Sequence, residues 1–227
     1  MHPIDIVEDI AIGFGYHNLP DRFSEVHLDA IPLSSSHFHR RIRASLRSLG
    51  IQETQGLTLS NERDQFDRVG WSPDGGIAKI SNPISVEHTI LRQNILPSLL
   101  VLLSSNRHHE LPQRVYELSD VVRDSKNQPR VAWACAEVSG GFASAKGVVQ
   151  ALLRDLGTGI GEVTLEGTDE GPWIPGRGAK IFHEGDEIGS FGEVSPQVLN
   201  EFGLRSPVNG GELDIAALSR VAPNPIL

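Results

Sequence analysis

The sequence predicts an α+β domain in which helices pack on one large, mostly antiparallel sheet. Three observations carry that expectation. Strand-like segments outnumber helical ones, tight turns join several neighbouring strands, and no strand–helix–strand repeat recurs.

The elements follow in chain order. "HPIDIVEDIAIGFGYHNLP" reads as a short helix, a turn and a stop at Pro20, with Pro3 at a first helical position and Gly13 and Gly15 at the end. Ile6, Val7, Ile10 and Phe14 give it an apolar face. A helix of about ten residues is marginal alone. It needs a neighbour, and no sequence precedes it, so a cut-down chain or a natural fragment is expected. The stretch to about Ser34 is irregular, a linker or an extended arm. "SSSHFHRRIRASLRSLG" predicts a helix with caps from Ser34 to Ser36, an apolar stripe of Phe38, Ile42, Leu46 and Leu49, and a stop at Gly50.

"TQGLTLS", "GGIAKIS" and "HTILR" read as strands, with "NERDQFDRVG" as an N-capped helical turn. A helix is expected from about Leu96 to Arg107, Pro97 being tolerated in its first turn. "QRVYELSDVV" and "RVAWACAEVSG" are two further strands. The second is apolar on both faces, as a central strand would be. "SAKGVVQALLRDLG" is an amphipathic helix and "GEVTLEG" a strand. "GAKIFHEGDEIGSFGEVS" is a hairpin around "HEGD". "SPQVLNEFG" is a short helix capped by Ser195 with Pro196 first, and "GGELDI" is a last strand before another short helix. The helices are expected on one face of the sheet.

Composition excludes several function classes. The chain has 227 residues, 39% hydrophobic and 22% charged, with a net charge of −9. That is ordinary globular composition, and the acidity restricts any RNA contact to a local patch. Cys135 is the one cysteine, which removes internal disulfides and cysteine-based zinc patterns. Its apolar strand setting makes it a buried core residue. No apolar run approaches the ~20 residues of a membrane span. No signal peptide precedes the first helix, and a cytoplasmic setting fits best.

Candidate chemistry is sparse. His37 and His39 point to different helix faces, His108 and His109 sit at a helix end, and no HExxH occurs. "PGRGAK" lacks a third glycine and precedes a strand, so its glycines shape the turn into the hairpin. "SGGFASAKG" before a helix is a weak anion-site signal. No G-x-S-x-G elbow occurs. Arg40, Arg41, Arg43 and Arg47 lie mainly off the apolar stripe, a solvated face by default and an RNA or carboxylate contact as the sharper reading. Asp5, Glu8 and Asp9 crowd one helical stripe. Either they complement the positive helix end, or they contribute to a hard-cation site whose other oxygens come from elsewhere.

Three runs in one order carry a family resemblance. "NPISVEHTILRQNILPSLL" resembles the N-P-[LI]-S…LR…LLPxLL run of the phenylalanyl-tRNA synthetase beta subunit. "WIPGRGAKIFHEGDEIGSFGEVSPQVLNEFGL…GELDIAAL" is similar to its hairpin, helix and final strand. "DIVEDIAIGFGYHNLP" resembles the end of the preceding helical module. The resemblance implies residues 1–20 as the end of that module and residues 21–227 as a non-catalytic class II synthetase-like domain. A chain ending just after "GELDIAAL" resembles the archaeal and eukaryotic cytosolic type.

The resemblance further implies an alpha2-beta2 heterotetramer in which the alpha subunit binds ATP and activates phenylalanine, with tRNA bound by the assembled complex. It implies Mg²⁺ shared with alpha at Asp5, Glu8 and Asp9; these match three of four family acids, Asp9 replacing the more usual Glu. It implies a subunit interface on Phe38, Ile42, Leu46 and Leu49. No catalytic residue is expected. "LRQN" keeps Arg92 of a class II F-R-x-E run but has Asn94 at the acid, and "GGELDIAALSR" lacks alternating glycines and places Arg220 too late. Arg92 is left a structural ion pair. Two other readings stand beside this one: a free-standing divergent ATP-dependent ligase, and an RNA-binding module using the arginines of residues 40–47.

Overall fold

A computed structural model describes residues 2–21 and 33–223. They fall into two compact units divided between Leu33 and Ser34. Most of the linker expected before Ser34 lies outside the described residues.

The first unit is helix α1, Pro3–Phe14, followed by a single tight turn over Tyr16–Asn18. Its start is a reciprocal cap: His2 Nδ1 accepts from the Ile4 N–H at 3.2 Å, and the Asp5 carboxylate accepts from the His2 N–H at 2.7 Å. Pro3 occupies the first position as expected. Gly15, at φ 89°, ends the helix with its N–H on the Ala11 carbonyl.

The second unit is built on a seven-stranded sheet in the order β1-β4-β5-β9-β8-β7-β6. The strands are β1 (Gln52–Glu53), β4 (Gln113–Arg123), β5 (Lys126–Ala136), β6 (Thr164–Gly167), β7 (Trp173–His183), β8 (Asp186–Val194) and β9 (Val208–Asp214). Every neighbouring pair is antiparallel except β1 with β4, which is parallel. Two tight hairpins organise it. Asp124 and Ser125 join β4 to β5, and Glu184 and Gly185 join β7 to β8, all four with positive φ. That is what a two-residue hairpin loop requires.

Two predicted sheet members are corrected. "TQGLTLS" does not run as one strand. Thr54 bonds the Tyr116 carbonyl and extends the β1 ladder, whereas β2 (Leu59–Ser60) pairs with β3 (Ile90–Leu91) in a separate two-stranded sheet. "GGIAKIS" contributes only an isolated bridge, Lys79 to Ile90. Alternation in so short a run does not say which partner it finds.

The helices lie on both faces, not one. Helices α2 (Ser34–Ser48), α4 (Phe142–Asp155) and α6 (Ile215–Val221) close a core with Val131, Trp133 and Cys135. Helices α3 (Leu96–Ser105) and α5 (Pro196–Glu201) close a second core with Ala132, Ala134 and Ala136. The two sets alternate along β5, so one strand supplies both cores. Alanine on the α3 side lets the Leu96, Leu99, Leu100 and Leu103 side chains sit close to the sheet. Ser195 caps α5 through its Oγ on the Val198 N–H at 3.3 Å, with Pro196 first, as read from the sequence.

Candidate functional site

The sheet register sets a polar row across the face that also carries α3. Directly opposed residues share a face. Glu117 opposes Ala132, Ala132 opposes Glu212, Glu212 opposes Ser190, and Ser190 opposes Lys180. Arg130, two residues before Ala132, joins the same face. Of that row Arg130, Glu212, Ser190 and Lys180, together with Trp71, Asp74, Asn94 and Arg123, line a cavity of about 530 Å³.

Most of its charges are already paired. Arg123 donates through Nε and Nη2 to the Gln93 carbonyl at 3.3 and 3.2 Å, through Nη2 to Asn94 Oδ1 at 3.0 Å, and through Nη1 to Asp74. Burial, with the adjacent Arg130, pulls the Arg123 guanidinium below its ordinary range against the pull of Glu212, Asp74 and Asp214. Lys180 Nζ bonds Glu170 at 2.7 Å and lies 3.6 Å from Glu187; the Glu170 bond leads in raising the lysine's pKa.

Glu212 acts as a remote cap. Its Oε2 accepts the Ile95 and Leu96 N–H groups at 2.8 and 2.9 Å, at the start of α3, where Ile95 has no capping side chain. Its Oε1 is buried and makes no hydrogen bond among the described residues; the Arg130 Nη1 is 3.5 Å away as an ion pair.

The "LRQN" run is wired into the fold. Arg92 is fully buried, with Nη2 donating to Glu117 Oε1 at 2.6 Å and to Ser119. It forms the structural ion pair expected of it. Gln65 Oε1, itself buried, accepts the Gln93 and Asn94 N–H groups at 3.0 and 2.9 Å. Asn94 receives Arg123, a contact that an acid at this position would turn into a salt bridge. Arg220 lies outside the cavity, paired with Asp186 at 2.9 Å.

The proposed partner stripe is consumed internally. Ile42 and Leu46 are 0% exposed in the chain's own core, and Phe38 and Leu49 pack partly buried against it. The stripe is long because α2 covers the sheet beside α4, so Ile42 and Leu46 are not free to meet a second subunit. The arginines of α2 are largely engaged too. Arg43 pairs with Glu53 at 2.6 Å, Arg41 donates to the Leu156 carbonyl at 2.6 Å, and Arg47 to the Arg43 carbonyl at 3.2 Å.

Asp5, Glu8 and Asp9 are exposed on α1, and Asp5 is spent on the helix cap. Among the described residues no three His, Cys, Asp or Glu side chains converge on a metal position. These acids alone therefore do not fit a metal site. The glycine-rich start of α4 is equally unsuited to an anion, because the Glu137 and Glu193 carboxylates crowd Gly140 and Gly141. In "PGRGAK" the glycines sit inside β7, at a register shift between Trp173 and Gly178, and not in the hairpin turn. A β-carbon at Gly178 would meet the Trp173 side chain at 2.6 Å, so glycine permits the bulge to close.

Comparison with known proteins gives a consistent picture. Residues 19–215 match the family model described as "Phenylalanyl tRNA synthetase beta chain CLM domain". The phenylalanine–tRNA ligase beta subunit of Methanothrix thermoacetophila is 37% identical over 95% of this chain and 39% of its own length. That of Pyrococcus horikoshii is 37% identical over 97% of this chain and 40% of its own. The chain thus spans about two-fifths of the curated relatives it matches. A crystal structure of pyrrolysyl-tRNA synthetase from Desulfitobacterium hafniense has a like fold, with TM-score 0.65 and 12% identity over 83% of this chain and 69% of that one. No helix of the described residues is long and apolar enough to cross a membrane.

Proposed function

The chain belongs to the phenylalanyl-tRNA synthetase beta chain family, and from that premise we propose that it is a non-catalytic core module supporting an alpha subunit. On this reading alpha binds ATP and attaches phenylalanine to tRNA in a cytoplasmic alpha2-beta2 assembly. The module is a class II synthetase-like sheet whose own cleft does no chemistry.

One observation carries this reading: the cleft neutralises itself. Polyphosphate activation needs preorganised cations facing the nucleotide. Arg92 is sealed against Glu117, and Arg123 is spent on Asp74, Gln93 and Asn94. Lys180 is held by Glu170. Arg130 is flanked by Glu212 and Asp214, whose charges oppose a polyphosphate. Mg²⁺ at Asp5, Glu8 and Asp9, on the same reading, requires further oxygens from the partner. The engaged Arg41, Arg43 and Arg47 give the RNA-module alternative no support.

The test is ATP–pyrophosphate exchange by the purified chain, with and without phenylalanine, beside co-purification with an alpha subunit. No exchange and stable co-purification are expected. Phenylalanine-dependent exchange by the chain alone would replace this reading with the free-standing ligase.

A further inference from the structure

Two arginines stand apart from the rest. Arg107 and Arg205 make no side-chain hydrogen bond and no ion pair among the described residues, whereas every other arginine there has a carboxylate or carbonyl partner. Both line one cavity of about 840 Å³, where α3 and α5 finish. A β-carbon on Gly203 would stand 3.5 Å from Arg107 Nη1, so that guanidinium lies beside the turn that leads to Arg205. His108 and His109 add two imidazoles with ring centroids 4.2 Å apart. Ser206 borders the same space. Neither its hydroxyl nor the backbone N–H groups of Arg205 and Ser206 are bonded among the described residues.

Cations at a helix C-terminus ordinarily serve its last carbonyls. Here amides take that place. Asn106 Nδ2 donates to the Leu102 carbonyl at 2.9 Å, and Gln113 Nε2 to the Asn106 and His109 carbonyls at 3.0 and 3.1 Å. The arginines are left over. Each guanidinium offers five donors in a planar fork, and each imidazole at least one N–H. Among the described residues Glu110 is the one carboxylate that lines the space. The cleft is the reverse case, its cations facing Asp74, Glu170, Glu187 and Glu212. A donor-rich space of one dominant sign, in a chain of net charge −9, selects an oxyanion. Phosphate matches best, because its oxygens meet the guanidinium fork two at a time. The opposing helix-end dipole falls off within the last turn.

We propose that this cavity binds a phosphate group, bridged between Arg107 and Arg205 with the two imidazoles and the N–H groups of Arg205 and Ser206 beside it. It shares no lining residue with the cleft, and it does not depend on the reading of that cleft as non-catalytic. No covalent step is involved. A small diphosphate and an RNA backbone present the same chemistry. Salt separates them, since counterion release makes RNA affinity fall steeply as salt rises.

The test is calorimetric titration of the full chain with pyrophosphate, beside fluorescence anisotropy of a labelled RNA hairpin at several salt concentrations. Saturable one-to-one binding of pyrophosphate is expected. Arg107→Gln and Arg205→Gln should each weaken it by about tenfold or more, and the double variant should abolish it. Both side chains are exposed and unbonded among the described residues, so the variants are expected to fold, which circular dichroism establishes. Lys126→Gln removes one charge at an exposed position outside the cavity and should bind like the parent. If the hairpin binds and pyrophosphate does not, with a salt slope that falls by about one for each arginine removed, the phosphate is that of a nucleic-acid backbone and the proposal stands. No saturable binding of either probe would overturn it. So would a folded double variant that binds like the parent, or a loss in Lys126→Gln as large as that of either arginine, which would reduce the effect to net charge.

Discussion

Arg92 and Glu117 are joined at 2.6 Å by side chains that are 1% and 2% exposed. Such a pair stabilises little relative to an apolar replacement, but breaking it strands a buried charge. Arg92→Met is therefore expected to lower unfolding stability by roughly 3–5 kcal/mol. Arg92→Met combined with Glu117→Leu should cost less than Arg92→Met alone. Urea unfolding of the two single variants, Arg92→Met and Glu117→Leu, and of the double checks this; a double variant as damaged as the sum of the two singles would show that the residues do not act as a pair.

Helix α2 carries the second prediction. Ile42 and Leu46 are completely buried between the sheet and α4. Leu46→Ala should destabilise the isolated chain by about 2–5 kcal/mol through the cavity it leaves. Ile42→Asp should prevent folding at 25 °C, since it buries an unpaired charge. Thermal unfolding without any partner present is the measurement. Parent-like melting of either variant would return the stripe to the status of an intermolecular surface.

Cys135 gives a pH dependence. Burial pushes its thiol from 9.0 to about 12, with Glu137 adding to the rise and Arg114 opposing it. The folded chain keeps the proton while the unfolded chain loses it above its ordinary value. Stability contributed by the neutral thiol is thus complete below pH 9 and lost as pH rises from 9 toward 12. At neutral pH a thiol reagent should label Cys135 only as fast as the chain opens. Cys135→Ala should show a shallower loss of stability across the same alkaline window. Rapid labelling of the folded chain at neutral pH would contradict this account.

These residues also show where the sequence was readable. The alternation in "RVAWACAEV" already contained two buried faces, Val131, Trp133 and Cys135 on one and the alanines on the other. The expectation of helices on one face ignored that signal. Helix starts were legible because caps are local: Pro3, Ser195 and Pro196 stand beside the N–H groups they concern. The Glu212 cap on α3 was not, because its partners lie 117 and 116 residues away in sequence. The Asp124–Ser125 turn was missed because neither residue is glycine, although both adopt positive φ. Asn94 was identified as a departure from an acid-bearing motif, but its partner Arg123 lies 29 positions downstream and only the fold brings it in. Arg130 offered no signal at all. What distinguishes it is its place between Glu212 and Asp214, a property of surroundings and not of spacing.

The last prediction contrasts two glycines. Gly211 lies on β9 opposite Trp133, and a β-carbon there would come within 2.4 Å of the Trp133 ring and 2.8 Å of the Phe191 side chain. Trp133 and Phe191 are both fully buried, so neither can yield without disturbing the core. Gly211→Ala should therefore destabilise by overpacking, about 1–3 kcal/mol. Gly147 lies inside α4, is exposed, and has nothing within 4 Å of an added β-carbon. There the same methyl removes only unfolded-state freedom and improves helix propensity, so Gly147→Ala should stabilise by roughly 0.5–1 kcal/mol. Denaturant unfolding of the two single variants compares them directly. Opposite signs are expected from one chemical change. If Gly211→Ala were neutral, Trp133 would have to shift on the sheet, and the close seating of β9 against it would not be a constraint on this fold.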